Sequence, residues 1–446
     1  MTRRRMRRCA GLGATVAAIV GLVACSTGSA TSGSTTGNSI VDAPSKAPTG
    51  VTLTIWHSEA DSPALENLYK AYEKESGNTL DFVNIPAATF GFVIQTKWAT
   101  GARPDILEWQ GNDADALSLN MPQNAIALTS LPFVKQEGEL AKLSGYVNGQ
   151  VYAATLGPNL IYGIYYNKAV FAKAGLSAPK TYTDLATDCT VLKSKVPGVT
   201  PIFEAAGSSF PPQALASFLY VAQYNVGGQY ANEVVKGTAK LNDPKGPFLA
   251  GLNAYAAMKA AGCFNSDAAT ATWPQQTEAV LNGQAAMMAE DSNSINQLVS
   301  QANGDAAAVA AKVGFVPVSA TQAVANTSPD PLGTYYIPKT GNTTKERAAI
   351  GFINFITSSS EYQAYVDQAD SIPTLSGTKT PSLTGLWKEA ASMSAGAGLT
   401  LNSAIPGFGN QFGTQSDELI AGQETPQQVA DKMQAYVEQA LAAVGS

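Results

Sequence analysis

Two short clusters hold residue types suited to recognition chemistry. His57-Ser58-Glu59 follows the run 51–56, and Trp109-Gln110-Gly111-Asn112-Asp113 follows 104–108. An indole beside amide and carboxyl groups offers a flat apolar face together with hydrogen-bond donors and acceptors. That combination suits a ligand with hydroxyl groups and flat C–H faces. Trp109 has a competing reading as a rim or core tryptophan. Ser58 and Glu59 have one as helix N-terminal caps, which Ser and acids favour. His57 is the only histidine, which excludes any zinc site needing two and most histidine relays. Alone after a strand, it reads as a packing or hydrogen-bonded residue. Gly227-Gly228 and the other Gly pairs lack the phosphate-loop spacing and its following Lys-Ser/Thr. The alanine-rich run 306–311 favours helix and is no cofactor motif. We therefore expect no metal, no cofactor and no catalytic residue.

Alternating strands and helices must position these clusters. Residues 51–56 alternate and are rich in β-branched side chains, the pattern of a strand. Leu65, Leu68, Tyr69 and Tyr72 have helical spacing within 62–76, and Gly77-Asn78 ends that helix. A strand over 79–85, a helix over 90–100 stopped by Gly101, and a strand over 104–109 follow. This βαβαβ order implies a mainly parallel sheet with helices on its faces. Ligands of such sheets bind beyond the carboxyl ends of the strands, where both clusters lie.

The whole chain has 446 residues, enough for at least two lobes or domains. Hydrophobic residues at 45 % fit a globular core, and charged residues at 14 % are too few for a charge-rich disordered chain or a coiled coil. The formal net charge is −6, with 28 Lys and Arg against 34 Asp and Glu. Five of the arginines lie within the first eight residues; without them 23 basic residues face 34 acidic ones, a balance of −11. Such a chain is a poor nucleic-acid binder.

Arg3, Arg4, Arg5, Arg7 and Arg8 form a positive start, and 10–24 is an apolar run. The run is shorter than the roughly 20 residues a transmembrane helix needs, so it reads as an export signal. Leu22-Val23-Ala24-Cys25 resembles the lipobox of bacterial lipoproteins. The resemblance implies removal of 1–24, a diacylglyceryl group on the Cys25 thiol, and anchoring to the outer face of the cell membrane. An ordinary secreted protein with a chance Cys is the competing reading. Residues 25–50 are rich in Ser, Thr, Gly, Ala and Pro and read as a flexible tether, spanning roughly 25–30 Å as a coil. Cys9 leaves with the signal and Cys25 takes lipid, so Cys189 and Cys263 remain as an even pair in an exported protein. We expect a disulfide between them, against the alternative of two buried free thiols.

Six segments in order give a more specific resemblance. They are Leu53-Thr-Ile-Trp-His57; Ala99-Thr-Gly-Ala-Arg-Pro-Asp-Ile106; and Gly149-Gln-Val-Tyr-Ala153 continuing through Tyr162-Gly-Ile-Tyr-Tyr-Asn-Lys168, Phe171-Ala-Lys-Ala-Gly-Leu176 and Pro179-Lys-Thr-Tyr182. The others are Asn282-Gly-Gln-Ala-Ala-Met-Met288, the helix 348–358 and Gly422-Gln-Glu-Thr-Pro-Gln-Gln428. Together they resemble the extracellular sugar-binding proteins of ABC importers, the maltose-binding-protein-like family 1 solute-binding proteins. The resemblance implies an α/β, two-lobed periplasmic-binding-protein-like fold, each lobe a mainly parallel sheet flanked by helices, with a ligand cleft between them. Strands would cross between lobes near 160–165, within 318–334 and near 371–373. The N-lobe would be 51–160 plus 331–370, and the C-lobe 161–330 plus 371–446.

The resemblance also implies binding positions. Trp109 matches a sugar-stacking Trp, while Asn112 and Asp113 match positions that hold sugar hydroxyls. Asn159 and Tyr162 lie at the first crossing, and Trp273 precedes Pro274 at a helix start. Asp291 and Asn293 stand in a loop where many relatives carry Trp. Phe412 falls where a stacking Trp is found, with Phe408 the near alternative. With Ser58 and Glu59 these complete the expected site. The implied function is capture of a sugar or oligosaccharide by hinge closure and delivery to the permease subunits of an importer. The protein would act as a monomer on the membrane, with no nucleic acid and no enzymatic activity. A lipid-anchored glycan hydrolase using two carboxylates and a receptor for a peptide or polyamine are the alternatives.

Overall fold

A computed structural model describes residues 46–86, 89–138, 140–142, 144–328, 332–383, 385–393 and 400–445. The expected export signal, Cys25 and the expected tether up to residue 45 lie outside the described residues, as does the side chain of Asp113.

Local sequence accounts for the first elements. In the strand Thr52–Ser58, alternation puts Leu53 and Ile55 in the core and leaves Thr52 exposed. The helix Pro63–Ser76 opens on Ser62, whose hydroxyl accepts from the Leu65 N–H at 3.3 Å. Pro63 sits at its first position, where its missing N–H costs nothing. Gly77 ends the helix at φ 69°, a left-handed conformation that favours glycine. Leu65, Leu68, Tyr69 and Tyr72 form its buried face.

Along the chain the strands are β1 (Thr52–Ser58), β2 (Thr79–Ile85), β3 (Ile106–Glu108), β4 (Tyr146–Val147), β5 (Gln150–Val151), β6 (Ala153–Thr155), β7 (Leu160–Asn167), β8 (Thr200–Ile202), β9 (Ala285–Asp291), β10 (Val313–Val316), β11 (Thr327–Ser328) and β12 (Thr334–Tyr336). One sheet has the order β2-β1-β3-β12-β6. In it β1 is parallel to β2 and β3, with Ile55 opposite Phe82 and Ile106. The second sheet has the order β10-β7-β9-β8, with β11 also paired to β7.

The α/β class with two helix-flanked sheets matches the expectation, but strand direction is mixed rather than mainly parallel. In the second sheet β7 is antiparallel to β9, β10 and β11, and only β8 and β9 run parallel. In the first, β12 is antiparallel to β3 and β6. Parallel neighbours need a crossover, usually a helix. The helices Pro247–Ala260 and Trp273–Leu281 supply one between β8 and β9. β7 arrives straight from β6 and β12 from β11, with no helix among the described residues between them, so each enters its new sheet against its neighbours.

Each sheet has its own core. Leu53, Ile55 and Ile106 pack with Tyr69, Phe352, Ile353 and Tyr362 from helices on the first sheet. Ile164, Met287 and Leu192 pack with Phe248, Phe412 and Met433 on the second. The chain leaves the first sheet after Thr155 and joins the second at Leu160; it passes back between Ser328 and Thr334. Leu375 still belongs to the first core, whereas Leu386 and Trp387 belong with the second sheet. Cys189, in the helix Tyr182–Lys195, is bonded to Cys263, with Cα atoms 5.6 Å apart. Both residues lie in the core of the second sheet.

Candidate functional site

A cleft of about 450 Å³ opens where the ends of β1 and β3 face β7 and β9. On the β1 side Ser58 lines it. The Ser58 N–H donates to Glu108 Oε2 at 2.8 Å, and Glu108 Oε1 accepts from the Gly333 N–H at 2.6 Å. One buried carboxyl thus fastens the end of β1 to the segment that leads into β12. Burial and the nearby Asp61 carboxyl raise the Glu108 pKa well above the usual range. His57 lies behind this wall, its Nε2 2.6 Å from Asn84 Oδ1 and its Nδ1 3.0 Å from Asp61 Oδ2. It is a hydrogen-bonded packing residue, in line with the reading of its sequence position.

At the end of β3, Trp109 and Asn112 line the cleft with Gln110 and Asp115. Asn112 caps the helix Asp113–Ser118: its Oδ1 accepts from the Asp115 N–H at 2.8 Å and its Nδ2 donates to Asp115 Oδ2 at 2.7 Å. Trp109 is only 1 % exposed, and its indole N–H donates to the Asp115 carbonyl at 3.1 Å. Its ring packs 6.3 Å from Phe90. Trp109 therefore supports the cleft wall from beneath more than it offers an open face.

The opposite wall carries Tyr162, Trp273, Glu290, Asp291 and Asn293. Thr272 caps the helix Trp273–Leu281, which places Trp273 at its first position with the ring half-buried. The Trp273 indole N–H donates to Ser294 Oγ at 2.9 Å, fixing the plane of the ring. Asp291 ends β9, and its Oδ1 accepts from the Asn293 N–H at 2.8 Å. Burial pushes the Asp291 carboxyl up to about 6. Burial does the same to Asp115, to about 6, against hydrogen bonds from Asn112 and the Gly407 N–H.

Ten of the eleven expected binding residues have a described place on or off this cleft. Ser58, Trp109, Asn112, Tyr162, Trp273, Asp291 and Asn293 line it, whereas Phe412 does not. In the helix Phe408–Ala421, Phe412 and Phe408 face the core against Phe248, at 5.2 and 6.3 Å, while Asn410, Gly413 and Thr414 face the cleft. Glu59 and Asn159 are exposed and outside the lining, because each sits one residue beyond the inward-facing position of its strand end. The side chain of Asp113 is outside the described residues. Sequence reasoning missed Phe92, Phe210 and Glu290. Phe92, 69 % exposed on a helix whose buried residues are Phe90, Ile94 and Trp98, was marked by being apolar on the wrong face. Phe210 stands before Pro211-Pro212, a break that sets it at a loop end.

The described lining residues include Asp115, Glu290 and Asp291 but no Lys, Arg or His. Such a surface repels anions, and it offers aromatic faces, amides, hydroxyls and carboxyls to its ligand. Among the described residues no helix is long and apolar enough to cross a membrane.

Comparison with known proteins bears on this geometry. The family model for bacterial extracellular solute-binding proteins matches residues 56–363. No curated protein sequence matches the chain. Similar solved structures include a chitin oligosaccharide binding protein, 22 % identical with a TM-score of 0.74, the match covering 88 % of this chain and 99 % of that one. A raffinose complex of the solute-binding protein RafE is 18 % identical with a TM-score of 0.72, covering 87 % and 99 %. A sugar transporter from Bacillus licheniformis in complex with stachyose is 19 % identical with a TM-score of 0.67, covering 87 % and 99 %. At these identities the likeness shows a shared fold.

Proposed function

The chain belongs to the bacterial extracellular solute-binding proteins, and on that premise we propose that it is the substrate-binding component of an ABC-type carbohydrate importer. The observation that carries the reading is the cleft between the two sheets. It sets the half-buried Trp273 ring, Phe210 and Phe92 beside Asn112, Asn293 and Asp291. Rings cover the C–H faces of a sugar, and amide and carboxyl groups meet its hydroxyls. The volume of about 450 Å³ lies within the range of small-molecule sites. Among proteins of similar fold, one binds chitin oligosaccharide and others form complexes with raffinose and stachyose, which supports the same class of ligand here.

In this reading the bodies around the two sheets are lobes that close on the sugar by hinge motion at the connections between β6 and β7 and between β11 and β12. The closed form docks on the permease and releases the sugar chemically unaltered. The protein works as a monomer, held to the outer face of the cell membrane by lipid on Cys25. Calorimetric titration with mono- to pentasaccharides, followed by recovery of the ligand, tests the proposal. One-to-one binding with the sugar recovered intact is the expected result. New reducing ends appearing over time, or no saccharide binding at all, would overturn it.

A further inference from the structure

The wall formed by β9 holds more acid than its surroundings neutralise. Glu290 is 1 % exposed; its Oε2 accepts from the Asp291 N–H at 3.1 Å, and its Oε1 is buried with no hydrogen-bond partner. Asp291 follows it, and both line the cleft. Behind them lies Glu204, fully buried, with one oxygen accepting from the Tyr255 hydroxyl at 3.2 Å and the other unpartnered. The groups facing Glu290 from neighbouring elements are Asp291 on its own strand, Glu204 after β8 and the Tyr165 phenol on β7. None is basic. Among the described residues, no Lys, Arg or His forms an ion pair with Glu204, Glu290, Asp291 or Asp115. Buried charges in proteins are normally paired, and an unpaired acid keeps its proton instead. Burial raises Glu290 well above the usual carboxylate range and Asp291 to about 6, so at neutral pH Glu290 holds its proton while Asp291 is mostly ionised.

We infer that the cleft takes a carbohydrate carrying a protonated amino group, and that Glu290 and Asp291 supply its counter-charge. The inference rests on the reading of the cleft as a carbohydrate site and narrows its ligand. An ammonium group set against this wall favours the ionised carboxyls, gives Glu290 Oε1 a donor, and drives the proton off Glu290 as it binds. A neutral hydroxyl provides a donor but no charge, so it leaves Glu290 protonated. The wall also explains why the described lining residues include no basic group: a lysine there would occupy the place of the ligand's own cation.

The test uses matched oligosaccharides that differ only in an acetyl group: glucosamine oligomers of two to five units, their N-acetylated counterparts, and the corresponding galactosamine pair. Calorimetry at pH 5, 6 and 7, in two buffers of different ionisation enthalpy, reads both affinity and proton release. The expected result is that a free-amine sugar binds at least tenfold tighter than its acetylated partner at pH 7. The gap narrows at pH 5, and about one proton is released on binding. Glu290→Gln and Asp291→Asn each shrink the gap about tenfold while the acetylated sugar still binds, and Glu59→Gln, outside the cleft, leaves it unchanged. An acetylated or other neutral sugar binding as tightly as the amine, or a gap untouched by both cleft substitutions, overturns the inference and leaves the carbohydrate reading standing. Spermidine binding with no saccharide binding overturns the carbohydrate reading but not the counter-charge role. No ligand of either kind overturns both.

Discussion

Replacing Trp273 with alanine separates recognition from packing, because the two tryptophans of the cleft are held so differently. The Trp273 ring is half-buried and lines the cleft. A sugar ring covering about 40 Å² of indole contributes about 1 kcal/mol at the usual 25 cal/mol/Å². Aromatic geometry adds about 0.5–1.5 kcal/mol. Trp273→Ala should therefore weaken binding by about 2 kcal/mol, roughly thirtyfold in Kd. Its cost in stability is about 1–2 kcal/mol, mainly the lost hydrogen bond to Ser294 and part of the ring's packing. Trp109, 1 % exposed, behaves in the opposite way. Trp109→Ala leaves a cavity beneath the cleft and should cost about 3–5 kcal/mol of stability. Calorimetry with a saccharide that binds, beside urea denaturation of both variants, separates the effects. Unchanged affinity in Trp273→Ala together with a large loss of stability would refute the assignment of its ring to ligand contact.

Phe412→Ala should lower stability by about 3–5 kcal/mol and leave affinity within twofold, since its ring lies in the second core; a large affinity loss at unchanged stability would return it to the site. Reducing the Cys189–Cys263 bond, which closes a separation of 74 residues, should cost about 2–5 kcal/mol in urea melts, and peptide mapping without reductant should recover the two cysteines linked. Asp115 and Asp291 keep their protons to about pH 6 in the folded protein, whereas in the unfolded chain they lose them near pH 4. Each therefore stabilises the fold most below about pH 4, and that stability is lost as pH rises to about 6, on the order of 3 kcal/mol per group. Urea melts from pH 4 to 7 should show this fall, and Asp291→Asn should flatten it. Cys25→Ala should abolish incorporation of labelled fatty acid and release the protein from the cell surface into the medium.

The first three strands and their helices were legible because each signal is local: the alternation of 52–58, the Ser62 cap and Pro63, the Gly77 stop. Strand direction in the second sheet was not. β7 pairs with β9 across more than a hundred residues, and the pairing depends on how the chain enters the sheet rather than on any short pattern. The same division holds in the site. Ser58, Trp109 and Asn112 stand at the ends of strands, where the βαβ order alone points to a ligand. Phe412 was misplaced because apolar residues 408 and 412 share a helix face, and only the position of Phe248 decides whether that face meets core or cleft. Glu290 was hidden because it ends an apolar run, Ala-Ala-Met-Met-Ala, and nothing in that run shows which strand end opens on a cavity. The disulfide was legible by elimination, because the expected signal and the expected lipid attachment leave Cys189 and Cys263 as the remaining pair.

A crystal structure grown with the tightest-binding saccharide of the mono- to pentasaccharide panel tests the central claim most directly. The account predicts an intact sugar lying against the Trp273 ring, with hydroxyl or amino groups reaching Asp291 and the Asn112 side of the cleft. A glycan bound anywhere else on the molecule, or cleaved within the cleft, would contradict it.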